Sequence, residues 1–404
     1  MFWIFIIRFF SILVSIWFHF LLSGTYQAAL SERPRTLAFH LEGDRASHLQ
    51  DDGIGFVSQA SLFPDGRPTV TVKTRPTSVY RPRSIDAFVD ARSSLEDVSI
   101  EWDAFDVEGP DIDDRHTLQQ LAMMSGNAYA LPGQKNWYDL DGAWNESLPI
   151  GWEDTTNGFR GHVFVSSDNS TVILSIKGTT LQGPTSKKDK FNDNLLFSCC
   201  CARVDISWMF STALVEESLF YSIGVNLYNN LTSMYPSANI WLTGHSLGGA
   251  LAALLGATFG VPSVAFESPG ELLAATRLHL PLPPRSPITH VYNNADPIPQ
   301  GACTGFGSVC AQSGFALETK CHLGKKIVYD TMGAYGWRAS DVTKHTIREV
   351  VTVVLADERE WEPGRHVPLA VDEDPDCLAS ECYKWEFGDF KNKNVSFQPA
   401  LGPS

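Results

Sequence analysis

The stretch Trp241–Leu255, WLTGHSLGGALAALL, decides how the rest of the chain is read. The apolar run IWLT leads straight into Gly244-His245-Ser246-Leu247-Gly248, and Gly249-Ala250-Leu251-Ala252-Ala253 then opens a helix of small residues. Strand, sharp turn and helix in that order are what a G-x-S-x-G nucleophile elbow requires. Ser246 must adopt a strained backbone conformation with its hydroxyl outward, and Gly244 and Gly248 remove Cβ atoms that would collide there. The bare pattern arises by chance in about one in ten chains of this length at ordinary glycine content, so its context carries the weight.

A serine hydroxyl is a weak nucleophile until a histidine takes its proton, and the histidine needs a carboxylate to fix its tautomer. In a fold with this elbow the chain order is Ser, then acid, then His. Asp296, in THVYNNADPIP, follows a strand-like run and precedes two prolines, which places its carboxylate in a loop at a strand end. His279 and His290 come too early for the base, and His366 falls in a loose tail. Of the remaining two, His322 adjoins Cys321 before an apparent strand, whereas His345, in ASDVTKHTIREVV, stands at a loop-to-helix junction. A loop histidine reaches a distant serine more readily than one fixed before a strand, so the base is assigned to His345 on position alone. An oxyanion needs two preformed donors. Leu247, just after the nucleophile, supplies one N–H, and Thr179 in Gly178-Thr179-Thr180 is the candidate for the other.

The surrounding pattern is α/β. DRHTLQQLAMMSGNAYAL, from Asp114 to Leu131, has helical spacing with Asp113 or Asp114 as cap. GHVFVSSDNSTVILSIKGTT reads as two antiparallel strands, the second being Val172 to Ile176, and 210–235 as an amphipathic helix. Strand-like runs follow at 239–243, 261–267, 287–293 and 325–330, the alternation that builds a mostly parallel sheet. We therefore expect an α/β-hydrolase domain over 111–356, a loop-rich extension over 31–110 and an acidic, loop-like tail over 357–404.

Residues 1–30 form a targeting segment. MFWIFIIRFFSILVSIWFHFLL is apolar apart from Arg8, His19 and a few serines, about long enough to span a bilayer, and the small-residue cleavage pattern is absent. An uncleaved signal anchor with a lumenal body, a type II topology, is the expectation. Four sequons, at Asn145, Asn169, Asn230 and Asn394, and eight cysteines fit a secretory route. Cys303 with Cys310, and Cys377 with Cys382, are close enough in sequence to staple loops, and Cys321 could reach Cys199, Cys200 or Cys201, but spacing does not settle connectivity. A formal net charge of −15 argues against nucleic acid and against anionic lipid at neutral pH, a repulsion that fades in an acidic lumen. No cofactor is expected, because acyl transfer to serine needs none and paired C-x-x-C spacing is absent.

These motifs resemble the class 3 lipases, whose order is matched over about residues 111–356 by DRHTLQQLAMMSGNAYAL, ILSIKGTT, GHSLGGALA, AFESPGE and NNADPIP. The nearer resemblance is to the fungal autophagic vacuolar lipases, through the N-terminal anchor, FSCCCARVDISW, GACTGFGSVC and ETKCHLGKKIVYDT. It implies Ser246 as nucleophile, Asp296 as acid, His345 as base and Thr179 and Leu247 as oxyanion donors. It also implies hydrolysis of phospholipid and triacylglycerol esters, carried from endoplasmic reticulum through Golgi and endosomal vesicles to a vacuole lumen. Leu181–Ser207 takes the place of a lid. Two departures stand out: Lys177 where many class 3 lipases have Arg, and AFESPGE in place of F-G-x-P-R. The competing readings are an esterase for small or feruloyl esters and an inactive, membrane-anchored vesicle receptor.

Overall fold

Thr171–Ile176, TVILSI, shows how the sheet is made. Its side chains alternate between two apolar clusters, Val172, Leu174 and Ile176 facing one and Ile173 the other, the period-two pattern of a strand buried on both faces. The computed structural model describes residues 36–39, 70–93, 100–140, 147–152, 158–166, 168–199, 220–305 and 307–382. The expected anchor over 1–30, and Asn145 and Asn394, lie outside the described residues. No helix among those described is long and apolar enough to cross a membrane.

Eight strands form the main sheet in unbroken sequence order, β4 (Leu148–Ile150), β5 (Gly161–Val165), β6 (Thr171–Ile176), β7 (Asn239–His245), β8 (Ser263–Phe266), β9 (Ile288–Asn293), β10 (Lys325–Tyr329) and β11 (Val371–Asp372). β6 to β10 are parallel, and antiparallel strands finish both edges. On one face pack α3 (Ser186–Phe197), α4 (Phe220–Met234), α5 (Leu247–Phe259) and α6 (Leu272–Arg277). On the other lie α2 (Arg115–Asn127) and the segment Val350–Leu355. α2 starts where the sequence predicts, its cap Asp114 accepting the Thr117 N–H at 2.8 Å.

Over its described residues the extension 31–110 departs from the loop-rich expectation. β2 (Val70–Pro82) pairs with β1 (Thr36–Phe39) and along nine residues with β3 (Trp102–Pro110), and α1 (Ile85–Ser93) lies between β2 and β3 in the chain. Prolines and charges masked the alternation: along β2, Val72, Thr74 and Val79 are buried while Lys73 and Ser78 are exposed. It is fastened to the main domain by the Trp241 indole N–H donating to the Glu108 carbonyl at 2.8 Å and by Lys73 N donating to Thr117 Oγ1 at 2.9 Å.

The tail from 357 is likewise drawn in, adding β11 to the sheet edge. Cys303 pairs with Cys310, but Cys377 and Cys382 do not pair with each other, nor does Cys321 reach the 199–201 run. Cys321 bonds Cys377 and Cys199 bonds Cys382, because the helical turn Cys377–Ser380 directs the two tail sulfurs to different partners. The described part of Leu181–Ser207 contains α3. α3 buries Leu195, Leu196 and Phe197, and Arg277 donates to the carbonyls of Leu195, Leu196 and Ser198. Residues 200–207 lie outside the described residues.

Candidate active site

The carboxyl ends of β6, β7, β8 and β9 lie level, with Ile176 opposite Gly244, Gly244 opposite Ala265 and Ala265 opposite His290. The crevice beyond such ends is where open α/β sheets gather their functional groups. Ser246 sits there between β7 and α5 with φ 58° and ψ −131°, a conformation L-residues avoid. Its N–H is held by the Phe266 carbonyl at 2.9 Å. Both flanking glycines are required by space: a Cβ on Gly244 would lie 2.4 Å from the Gly248 backbone, and one on Gly248 would lie 2.1 Å from the Ile176 carbonyl oxygen.

His345 ends the short 3-10 turn Val342–His345. Its Nε2 lies 2.9 Å from Ser246 Oγ and its Nδ1 2.7 Å from Asp296 Oδ2. A carboxylate only accepts, so Nδ1 carries the proton and donates to Asp296, leaving Nε2 to accept from the serine hydroxyl. Asp296 follows β9, is fully buried, and its Oδ1 accepts the Ile298 N–H at 2.9 Å. Ser246 and the His345 side chain are 6% and 19% exposed, which leaves the pair reachable while Asp296 is sealed.

His322 is elsewhere. It is buried against Glu271 and His290, and its Nε2 donates to the Pro299 carbonyl at 2.9 Å. The structure thus brings Ser246, Asp296 and His345 together and leaves His322 out.

Thr179 lies in the loop after β6. A Cβ on Gly178 would fall 2.3 Å from the His245 carbonyl oxygen and 3.2 Å from Ser246 Cβ, so only glycine lets this loop close on the serine. The same loop meets Gly248 in the first turn of α5, just past Leu247. Lys177 explains one sequence departure. It is buried, and its Nζ donates to Asp189 Oδ2 at 2.8 Å and to the Gly178 carbonyl at 2.7 Å, fastening the loop to α3. The Thr179 hydroxyl donates to Asp193 Oδ2 at 2.5 Å. Burial, resisted by that hydrogen bond, pushes the Asp193 carboxyl up to about 7.

Three residues that sequence reasoning missed hold the site in place. Tyr129 OH lies 2.9 Å from His245 Nδ1, and His245 Nε2 donates to the His345 carbonyl at 2.7 Å, so the variable residue of G-x-S-x-G anchors the base's backbone. Burial, and then the His345 charge, push the His245 imidazole down to about 3, keeping it neutral for this role. Glu267 occupies the other departure. The commoner pattern has glycine there, and Glu267 has φ 45°, so the backbone still demands the glycine conformation. Its Oε1 accepts from Asn293 N and Nδ2 at 3.0 and 2.8 Å, while Asn293 Nδ2 also donates to the Lys344 carbonyl at 3.1 Å. Burial, and next the negative charge of Asp296, push Glu267 well above the carboxylate range, so it stands as a neutral acid beside Asp296. The F-G-x-P-R mismatch was the only sequence signal pointing to it.

Of the four sequons, Asn169 and Asn230 fall among the described residues and both are exposed, Asn169 in the β5–β6 turn and Asn230 on α4.

A family model described as "Lipase (class 3)" matches residues 173–261, from β6 to just beyond α5. Three fungal relatives each carry the name "Putative lipase ATG15". One from Cryptococcus neoformans strain B-3501A is 46% identical over 73% of this chain and 72% of its own length. One from C. neoformans strain JEC21 is 54% identical over 65% of this chain and 55% of its own, and one from Mycosarcoma maydis 43% over 71% and 62%. The solved Lip2 lipase of Yarrowia lipolytica has a TM-score of 0.32 at 17% identity, covering 55% of this chain and 80% of that one, so the assignment stands on the sequence relatives. On that footing the chain belongs to the ATG15 family of class 3 lipases.

Proposed function

We propose that the protein hydrolyses ester bonds of membrane lipids, with Ser246 as nucleophile, His345 as general base and Asp296 as the orienting acid. The observation that carries this reading is the unbroken chain of contacts from Ser246 Oγ through His345 to Asp296, at 2.9 and 2.7 Å. His345 Nε2 takes the serine proton as Oγ attacks the acyl carbon, and the resulting imidazolium is stabilised by Asp296. The oxyanion is met by the Leu247 N–H and by Thr179. His345 then returns the proton to the leaving alcohol oxygen, and water repeats the sequence on the acyl-enzyme.

Asp193 gives this reading a pH dependence. When ionised it draws the Thr179 hydroxyl proton to itself; when protonated it donates to Thr179 Oγ1 and frees that hydroxyl for the oxyanion. The carboxyl at about 7 makes the protonated form the working one in an acidic lumen. Exposed Leu181, two residues beyond Thr179, and exposed Phe191 on α3 offer apolar contact to acyl chains.

The biological setting we propose is that of a membrane-anchored glycoprotein that lyses autophagic bodies and other vesicles in the vacuole, degrading phospholipid and triacylglycerol; the apolar leader and the name of the relatives support it. The test is the purified lumenal protein and its Ser246→Ala variant against phospholipid vesicles, triacylglycerol emulsion and a soluble ester, from acid to neutral pH. Vesicle hydrolysis that is lost in the folded Ser246→Ala protein supports the reading. Turnover of the soluble ester alone would replace it with a small-ester esterase.

A further inference from the structure

A second convergence of polar groups lies in the interior, apart from the serine. Glu271, just before α6, His290 on β9 and His322, just before β10, are each no more than 1% exposed. Their facing atoms all lie within 4.8 Å of one another. His290 Nε2 is 3.0 Å from Glu271 Oε1, and His322 Nδ1 is 3.4 Å from Glu271 Oε2. Yet neither contact has hydrogen-bond alignment, and His290 Nε2, His322 Nδ1 and Glu271 Oε2 are all buried without a hydrogen-bond partner. Buried orphans of this kind are rare, and three pointing at one spot call for an occupant.

The outer atoms of the same residues are all engaged, and that of His322 fixes where one ring proton sits. His322 Nε2 faces the Pro299 carbonyl at 2.9 Å, an acceptor only, so Nε2 carries a proton and Nδ1 is the ring atom left facing Glu271. His290 Nδ1 meets Ser268 Oγ at 2.9 Å, and Glu271 Oε1 accepts the Leu323 N–H at 2.8 Å. A carboxylate facing two imidazole nitrogens in a dry interior needs a positive charge among them, whether a proton or a metal ion. Imidazoles whose far N–H is tied to a carbonyl or hydroxyl, with a carboxylate braced by the backbone, are the outer shell that metal ligands have. Donor separations of about 3.3 Å are expected around a tetrahedral zinc with bonds near 2.05 Å, and the two histidine–carboxylate separations are 3.0 and 3.4 Å.

We propose that Glu271, His290 and His322 form a buried site for one divalent transition-metal ion of the zinc type. The nitrogen-rich donor set with one carboxylate suits zinc over magnesium or calcium, which take oxygen ligands. The ion would tie β9 to the approaches of α6 and β10, and through His322 it would brace Pro299, three residues beyond Asp296. C-x-x-C spacing could not reveal it, because the three ligands come from separate elements.

The test is the full-length glycoprotein, purified without chelators from cells supplied with zinc. Metal analysis should find about one zinc per chain, falling to about a tenth or less in Glu271→Gln. Zinc removal by a chelator should lower Tm by several degrees, zinc but not magnesium should restore it, and cobalt reconstitution should give a visible d–d band. The chelation arm uses wild-type protein alone, so it decides the matter even where Glu271→Gln does not fold. Folded wild-type protein that carries no transition metal and shows no Tm response to zinc would overturn the proposal, leaving a proton to bridge the cluster. Zinc retained at full stoichiometry by Glu271→Gln would overturn it equally.

Discussion

Of the histidine–carboxylate contacts that follow Ser246, His345–Asp296 and His322–Glu271 teach opposite lessons. In His345–Asp296 the ring's far nitrogen meets a serine hydroxyl, and the side chain is 19% exposed. In His322–Glu271 the far nitrogen meets the Pro299 carbonyl, and nothing is exposed. A histidine beside an acid is therefore not by itself a general base. The third partner decides, because a hydroxyl can yield a proton to the ring and a carbonyl cannot.

The sharpest way to break the comparison is to remove each histidine. His345→Ala should lower kcat by about 10⁴-fold or more with little change in Tm, since the side chain is surface-reaching. His322→Ala should do the reverse, costing about 2–4 kcal/mol of stability by opening a cavity and leaving the Pro299 carbonyl without its donor, as read by thermal unfolding. Next comes Asp296→Asn, which keeps the shape but supports the wrong tautomer; a loss of about 10⁴-fold in kcat with an unchanged fold is expected.

Smaller effects sharpen the surroundings of the active pair. Glu267→Gln retains a donor toward Asp296, whereas Glu267→Ala removes it, so Ala should lose about ten- to a hundredfold in kcat and Gln much less. Equal losses would show that the acid's proton does nothing for Asp296. Asp193→Asn should shift the pH profile by a few-fold, holding activity toward neutral pH where the parent declines. Its stability effect has a definite sign. Between the ordinary carboxylate range near 4 and the folded value of about 7, the folded state holds a proton that the unfolded state has lost, so stability falls as pH rises through that window. Asp193→Asn should flatten that slope in denaturant titrations at several pH values.

Much of this was legible in the chain. The elbow, β6 to β10 and the α2 cap could be read because apolar periodicity and one rigid turn specify them locally. Asp296 and His345 followed from chain order and loop position. The described part of the extension departs from a loop-rich reading because proline and charge conceal strands that owe their stability to pairing, as β2 with β3 does. Disulfide partners depend on how the turn at Cys377–Ser380 aims two sulfurs, which spacing does not encode. Tyr129, His245 and Glu267 act through long-range contacts invisible until the chain is folded.

The most direct test of the central claim is the rate at which a fluorophosphonate labels the protein, followed by intact mass and peptide mapping. Such a reagent reports proton removal from the serine without needing the native lipid. Wild type and His322→Gln should each take one label, on Ser246, at similar rates; Ser246→Ala should take none, and His345→Ala should react about 10³-fold more slowly or less. Labelling that slows in folded His322→Gln but not in His345→Ala, or that maps to another residue, would contradict the account.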